Sequence, residues 1–220
     1  MPKKIFSKIS LTTILLMMIM FVLSFYFYAH FPARVATHWD LEGNPNKYSS
    51  AFFAAFFFPT LTLGLFLLLS ILPRIDPRKE NNIKLKKTIE IFTLILISFL
   101  ATLYVFIGIS SMHHVNSLVR VIPILVGILF IVLGIYLPSV KSNWFVGIRT
   151  PWTLSSETVW NKTHVFGGKV FILAGSVMIL GAFVPVQARV IILIASTIVA
   201  VIAPIAYSYK AFEREKFSTE

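Results

Sequence analysis

The stretch ISLTTILLMMIMFVLSFYFYA, residues 9–29, decides the fold class. Its 21 residues contain no Asp, Glu, Lys or Arg, and a helix of that length crosses the hydrocarbon core of a bilayer, which is about 30 Å thick. Lys3, Lys4 and Lys8 precede the stretch, as basic residues precede the apolar part of a secretory signal. The apolar part of such a signal, however, spans only about 7–15 residues. We therefore predict a transmembrane helix that is not cleaved.

Five further apolar runs follow, and the chain as a whole is unusually apolar. Of its 220 residues, 57% are hydrophobic and 13% are charged, whereas about a quarter of the residues of a soluble domain are charged. The longest stretch between the runs has 29 residues, too few for a hydrophobic core of its own. We predict an all-α fold, a polytopic membrane helical bundle of about six transmembrane helices that forms one domain over residues 1–220. The predicted spans are residues 9–29, 51–73, 89–110, 121–140, 170–187 and 190–208.

The basic residues predict the orientation of the bundle. If the N-terminus lies in the cytosol, sixteen of the twenty Lys and Arg residues lie on the cytoplasmic side, as the positive-inside rule requires. Both termini are therefore predicted to be cytoplasmic, in a bacterial cell membrane. The net charge of +11 resides in these connecting segments, so we expect no direct binding of nucleic acid. Cysteine is absent, which excludes disulfides and thiolate metal sites.

The outer connecting segment, HFPARVATHWDLEGNPNKYSS at residues 30–50, has two interpretations. In the first, His38, Trp39 and Asp40 form a polar, aromatic binding surface that faces outward. In the second, Trp39 lies at the membrane interface and Asp40 accepts hydrogen bonds from the backbone of a turn that contains Gly43. A metal site formed by His38, Asp40 and the histidine pair at residues 113–114 matches no known ligand spacing. We predict neither a metal nor a cofactor.

The inner connecting segment, KSNWFVGIRTPWTLSSETVWNKTHVFGGK at residues 141–169, combines an irregular part with a short helix. Glycine and proline make residues 143–151 irregular. Thr153 or Ser155 is predicted to cap a short interfacial helix whose first turn carries Glu157. Trp160 and His164, four residues apart, share a face of this helix. The pair Gly167-Gly168 is then expected to let the chain re-enter the membrane.

This inner segment also has two interpretations. Three tryptophans with a snorkelling arginine and lysine are typical of an aromatic belt at the interface. A belt, however, needs only amphipathic rings at the right depth, whereas polar, glycine and proline residues are interleaved here in a specific order. Arg149 is also suited to bind lipid phosphates. The sequence alone leaves a specific role for this segment open.

At these motifs the sequence resembles the SdpI family. The family shows a P-x-x-x-P-x-H-[WF] element and a later N-[WY]-F-x-G-I-R-T-P-W-T-L segment, followed by V-W-x-x-T-H and a glycine. This chain has Pro32 and His38-Trp39, with Ala36 where a second proline is common, and it has NWFVGIRTPWTL at residues 143–154. Residues 72–81, LPRIDPRKEN, are also similar. The residues that the resemblance marks as a candidate functional motif are His38, Trp39, Asp40, Gly43, Asn143, Gly147, Arg149, Thr150, Pro151, Trp152, Thr153, Trp160, Thr163, His164 and Gly167.

The resemblance implies a non-enzymatic immunity and signalling protein. Its outward partner would be a secreted antimicrobial peptide toxin of the sporulation-delaying type. Its cytosolic partner would be a DNA-binding autorepressor that the protein holds at the membrane when toxin is present. The lipid bilayer is the remaining expected partner.

Two other functions remain open at this point. A membrane enzyme at the inner interface would use Arg149 to bind phosphate and Glu157 with His164 as acid and base, since seven residues are two helical turns. A small transporter or exporter is disfavoured because no ionisable residue lies at mid-depth in a predicted span.

Overall fold

The structure, a computed structural model, describes residues 7–40, 42–75, 82–113 and 118–218. Within these residues six helices are long and apolar enough to cross a membrane, so the predicted all-α polytopic bundle is confirmed. The orientation of the bundle and the interfacial position of any helix stay predictions. The helices are α1 (Lys8–His30), α2 (Ala51–Ile75), α3 (Asn82–His113), α4 (Leu118–Tyr136), α5 (Pro151–Ser155), α6 (Glu157–Gly181) and α7 (Val186–Ser218), and a 3₁₀ turn spans Leu137–Ser139.

Two compact units can be distinguished along the chain. The first unit comprises Met1–Ser70 and Glu90–Leu125, and the second comprises Ile71–Ile89 and Val126–Glu220. The prediction that residues 1–220 form a single membrane domain stays a prediction.

The core of the first unit is formed by aromatic and small apolar side chains. Met20, Phe27 and Tyr104 are almost fully buried, and the rings of Phe27 and Tyr104 meet edge to face at 5.2 Å. The Tyr104 hydroxyl donates a hydrogen bond to the carbonyl of Ala55 (2.8 Å) and lies 3.1 Å from the hydroxyl of Ser24. These bonds satisfy the polar atoms of three neighbouring helices, as a low-dielectric interior requires.

The same unit contains a β-hairpin that the sequence analysis missed. Strands β1 (Arg34–Trp39) and β2 (Pro45–Ser50) pair antiparallel, with irregular register around His38. The hairpin lies in the segment that was predicted only to contain a turn. Its second strand, PNKYSS, is almost entirely exposed and polar, so it shows neither the alternation nor the β-branched residues that identify a strand in a sequence.

In the second unit α4 and α6 cross in close contact at two glycine pairs. A methyl group added to Gly134 would lie 2.6 Å from the carbonyl oxygen of Gly168, and one added to Gly127 would lie 2.6 Å from that of Gly175. The two pairs are one heptad apart on both helices. Small residues at such a crossing let two membrane helices approach closely.

The predicted course of the inner segment needs correction at three points. The helix that contains the fifth predicted span, residues 170–187, begins at Glu157 and ends at Gly181. Its N-cap is Ser156, whose side chain accepts from the Val159 amide, and not Thr153 or Ser155. Gly167-Gly168 lies inside this continuous helix and does not interrupt it, because Gly168 packs against α4 and helix–helix contact keeps the backbone in place.

Candidate functional site

The candidate residues in the first unit lie at the turned end of the hairpin. The carboxylate of Asp40 accepts hydrogen bonds from the backbone amides of Asn44 (2.8 Å) and Glu42 (3.0 Å), and Gly43 supplies a positive φ of 92°. The bond from the Asn44 amide is the main reason that the pKa of Asp40 lies below its usual value. The interpretation that Asp40 bonds the backbone of a turn is confirmed.

His38 and Trp39 remain available at the surface of this hairpin. The Nδ1 atom of His38, an exposed side chain, lies 2.6 Å from Oδ1 of Asn46 on the opposite strand. Because an amide oxygen accepts, Nδ1 carries the proton and donates. Trp39 is half-buried. The hairpin therefore presents a histidine whose ring orientation is fixed by its neighbour.

In the second unit Asn143 organises the irregular segment that precedes α5. Its amide nitrogen donates to the carbonyls of Lys141 (2.8 Å) and Val146 (2.9 Å). Its side-chain oxygen accepts from the amides of Phe145 (2.8 Å) and Val146 (2.7 Å). All four hydrogen-bonding positions of this almost fully buried side chain are therefore occupied. Asn143 supplies the hydrogen bonds that helix or sheet would otherwise provide to this backbone.

Trp160 and His164 connect this segment to α6, and both are fully buried. The two rings stack with centroids 4.2 Å apart, which confirms the prediction that they share a face. The indole nitrogen of Trp160 donates to the carbonyl of Val140 (2.8 Å). The amide of Ile148 donates to Nε2 of His164 (3.1 Å), and Nδ1 of His164 lies 2.8 Å from the carbonyl of Trp160. Because Nε2 accepts, the ring is neutral and its proton resides on Nδ1.

Thr150, Pro151 and Thr153 start the short helix α5 through a reciprocal cap. Thr150 Oγ1 accepts from the Thr153 amide (3.2 Å), and Thr153 Oγ1 accepts from the Thr150 amide (2.9 Å). Pro151 occupies the first helical position, where its missing N–H costs nothing. Thr150 Oγ1 also lies 3.0 Å from the hydroxyl of Ser208 on α7. The cap therefore ties the irregular segment to the last helix.

In the same segment Gly147 and Arg149 are exposed, whereas Trp152 is half-buried. Gly147 has a φ of 117°, and a methyl group there would meet Nε2 of His164. The guanidinium of Arg149, which is exposed, donates to the carbonyl of Trp144. The Trp152 ring contacts that of Tyr209 at 5.1 Å.

Thr163, directly before His164, and Gly167, about one turn after it, complete the motif. Gly167 is buried, and a methyl group there would meet the side chain of Ile148 and lie 3.2 Å from Leu137. Thr163 is fully buried, and its Oγ1 is among the few buried side-chain atoms without a hydrogen-bond partner in the described part of the chain.

Sequence reasoning missed the groups that complete this cluster. Two of them, the carbonyl of Val140 and the amide of Ile148, are backbone atoms, which no residue pattern identifies. The third, Ser208, is 58 residues from its partner Thr150. Its position two residues before Lys210, at the end of a predicted span, did not point to that contact.

The hydrogen bonds of this cluster hold the inner segment in a fixed conformation. Both ring nitrogens of His164 are engaged with backbone groups, whereas Glu157 is exposed in the first turn of α6. The two side chains therefore lie in different environments, one buried and one exposed. Among the described residues no group of three or more His, Asp or Glu side chains could hold a metal ion; His114 of the imagined metal site lies outside them.

Comparison with known proteins adds an independent observation. Residues 139–208 match the SdpI/YfhL protein family, and residues 15–63 match a domain of unknown function, DUF1648. The chain is 26% identical over 208 residues to the immunity protein SdpI of Bacillus subtilis (strain 168), which covers 94% of this chain and 97% of that protein. No solved structure shows significant similarity to the chain.

The matched range begins just before Asn143 and includes the whole buried cluster, so the comparison and the hydrogen bonds identify the same region. The predicted resemblance is thereby confirmed: the chain is a bacterial, multi-pass cell-membrane protein whose residues 139–208 match the SdpI/YfhL protein family.

Proposed function

We propose that the chain is an immunity protein, which protects the cell that makes it from a secreted antimicrobial peptide toxin. The observation that carries this proposal is the similarity to the immunity protein SdpI of Bacillus subtilis along nearly the full length of both chains. Because the similarity spans both the hairpin and the buried cluster, it involves both surfaces that the proposal uses. The proposed role is non-enzymatic.

The hairpin β1–β2 is the proposed surface for the toxin. Under the predicted orientation it faces outward, where a secreted peptide arrives. It offers His38, the exposed ring of Tyr48, and Arg34, whose guanidinium carbon lies 5.4 Å from the centre of that ring. Aromatic and cationic side chains side by side suit an amphipathic peptide.

The exposed part of residues 144–149 is the proposed surface for a cytosolic partner, a DNA-binding autorepressor held at the membrane. Arg149 and Trp144 are both exposed there, while Asn143 and His164 fix the backbone beneath them. Tryptophan and arginine are the residue types that most often dominate the binding energy of protein interfaces. No direct contact of this chain with nucleic acid is proposed.

The test is expression in a host that is sensitive to a peptide toxin of the sporulation-delaying type. We expect the chain to raise the toxin concentration needed to stop growth, and His38→Ala to reduce that protection. Thr158→Ala, an exposed change on α6 outside both surfaces, is the matched control. Unchanged sensitivity to every peptide tested, with the protein present in the membrane fraction, would refute the immunity proposal.

A separate readout tests the cytosolic partner. Arg149→Ala is expected to retain toxin resistance but to release a fluorescent repressor from the membrane in toxin-treated cells. If Arg149→Ala abolishes resistance and His38→Ala does not, the roles assigned to the two surfaces are wrong.

A further inference from the structure

The second unit contains a cationic groove between α6 and α7. Two adjoining cavities of about 260 and 370 Å³ share Lys162 and Tyr207 in their walls. Lys169 on α6 and Lys210 with Arg214 on α7 complete the cationic lining. Lys162 and Lys169 are seven residues apart, as are Tyr207 and Arg214, so each helix contributes a stripe two turns long, about 10 Å.

The four positive charges of this groove have no anionic counterpart in its walls. None of them forms a hydrogen bond or ion pair with another residue in the described ranges, and no Asp or Glu lines either cavity. The nearby Glu213 is bonded by the hydroxyl of Tyr209 at 2.6 Å and does not line the groove. Four like charges on two facing stripes repel one another, and an anion between them would remove that repulsion.

The remaining walls of the groove are apolar. The rings of Phe166 and Tyr207 stack face to face with centroids 4.2 Å apart, and Val165 is 46% exposed. Apolar walls that adjoin a cluster of cations fit a molecule with an anionic head and an apolar body. Inorganic anions lack the second of these features.

The position along the helices agrees with this assignment. Lys169 directly precedes the apolar stretch of α6, and Lys210 follows directly after that of α7. The groove therefore lies where hydrocarbon gives way to headgroups, and basic pockets between transmembrane helices at that depth bind anionic lipid headgroups. We propose that the cationic groove between α6 and α7 binds the phosphate of an anionic phospholipid, whose acyl chain lies along Phe166 and Val165. This site is independent of the proposed immunity function.

The test uses the full chain, purified in detergent and examined by native mass spectrometry with added phosphatidylglycerol or phosphatidylcholine. We expect phosphatidylglycerol to remain bound preferentially. Each removed cation is expected to weaken retention about fivefold, so that Lys210→Gln with Arg214→Gln weakens it about 25-fold. Lys47→Gln with Lys141→Gln, which removes the same charge from exposed positions outside the groove, is expected to have no such effect.

A second variant guards against a fold defect in the first. Lys162→Gln with Lys169→Gln removes the charge from the opposite wall and is expected to reproduce the loss, with both variants monodisperse in size-exclusion chromatography. Equal retention by the groove and control variants, or equal binding of the two lipids, would overturn the proposal. So would full displacement of the lipid by inorganic phosphate, which would make free phosphate the ligand, or charge-dependent binding of an acidic peptide with unchanged lipid retention.

Discussion

Replacement of His164 tests whether the buried cluster holds the inner segment in place. His164→Leu removes the acceptor of the Ile148 amide and leaves that N–H without a partner. The contact between Nδ1 of His164 and the Trp160 carbonyl is lost as well, but that carbonyl keeps its hydrogen bond within the helix. An unsatisfied buried donor costs about 1–3 kcal/mol. For a chain of about this length 1 kcal/mol corresponds to about 2–4 °C in Tm, so we expect the Tm to fall by about 2–12 °C.

Two related substitutions separate the contributions of the two ring nitrogens. Gln places an oxygen near the position of Nε2 and retains an acceptor for Ile148, whereas Asn reaches only the position of Nδ1. We therefore expect the wild type to be the most stable and His164→Gln to be second. His164→Asn and His164→Leu should be the least stable, with similar Tm values. The assay is the thermal loss of the monodisperse peak in fluorescence-detected size-exclusion chromatography. The exposed Thr158→Ala serves as control. If His164→Leu has the same Tm as that control, the reasoning is refuted.

Three further perturbations test other parts of the structure. Gly134→Ala brings a methyl group to within 2.6 Å of a carbonyl oxygen of α6 and should lower the free energy of unfolding by about 1–3 kcal/mol. The control Gly64→Ala meets nothing within 4 Å and should be neutral or stabilising by up to about 1 kcal/mol. Equal melting temperatures of the two variants would contradict the close crossing. Asn143→Ala removes four hydrogen bonds and should speed proteolytic cleavage within residues 143–150, so unchanged cleavage would argue against its organising role. Because the pKa of Asp40 is lowered, the hydrogen bonds that its carboxylate accepts are fully present above the usual pKa of 3.8 and are lost as the pH falls through the lower folded pKa. The amide resonance of Asn44 should therefore shift only in that acidic range. A shift near neutral pH would contradict the assignment of Asp40 as the acceptor.

The helices were predictable because each follows from the apolar character of one continuous stretch of sequence. A run such as residues 9–29 has to form a helix in a membrane, since no water is available to bond its backbone. The full extent of α6 was not predictable in the same way. Its first half carries Lys162 and Lys169, which interrupt the apolar run, and what makes the glycine pair helical is its contact with another helix.

The hairpin and the buried cluster differ in how much of each a sequence can reveal. The turn at Asp40 was predictable because an Asx turn involves neighbouring residues, whereas the polar strand β2 forms only by pairing with β1. Within the cluster the spacing of Trp160 and His164 predicted their stacking. Their hydrogen-bond partners are backbone atoms of a loop 16 and 20 residues away, and tertiary structure alone brings these atoms to the rings.

Both proposed surfaces depend on the predicted orientation, in which the hairpin faces outward and residues 141–155 face the cytosol. The chain has no cysteine, so single cysteines at the exposed positions Thr37 and Ser155 can be labelled without background. In intact cells a membrane-impermeant maleimide should label Thr37→Cys at once and Ser155→Cys only after permeabilisation. Labelling of both positions in intact cells, or of neither, would contradict the account.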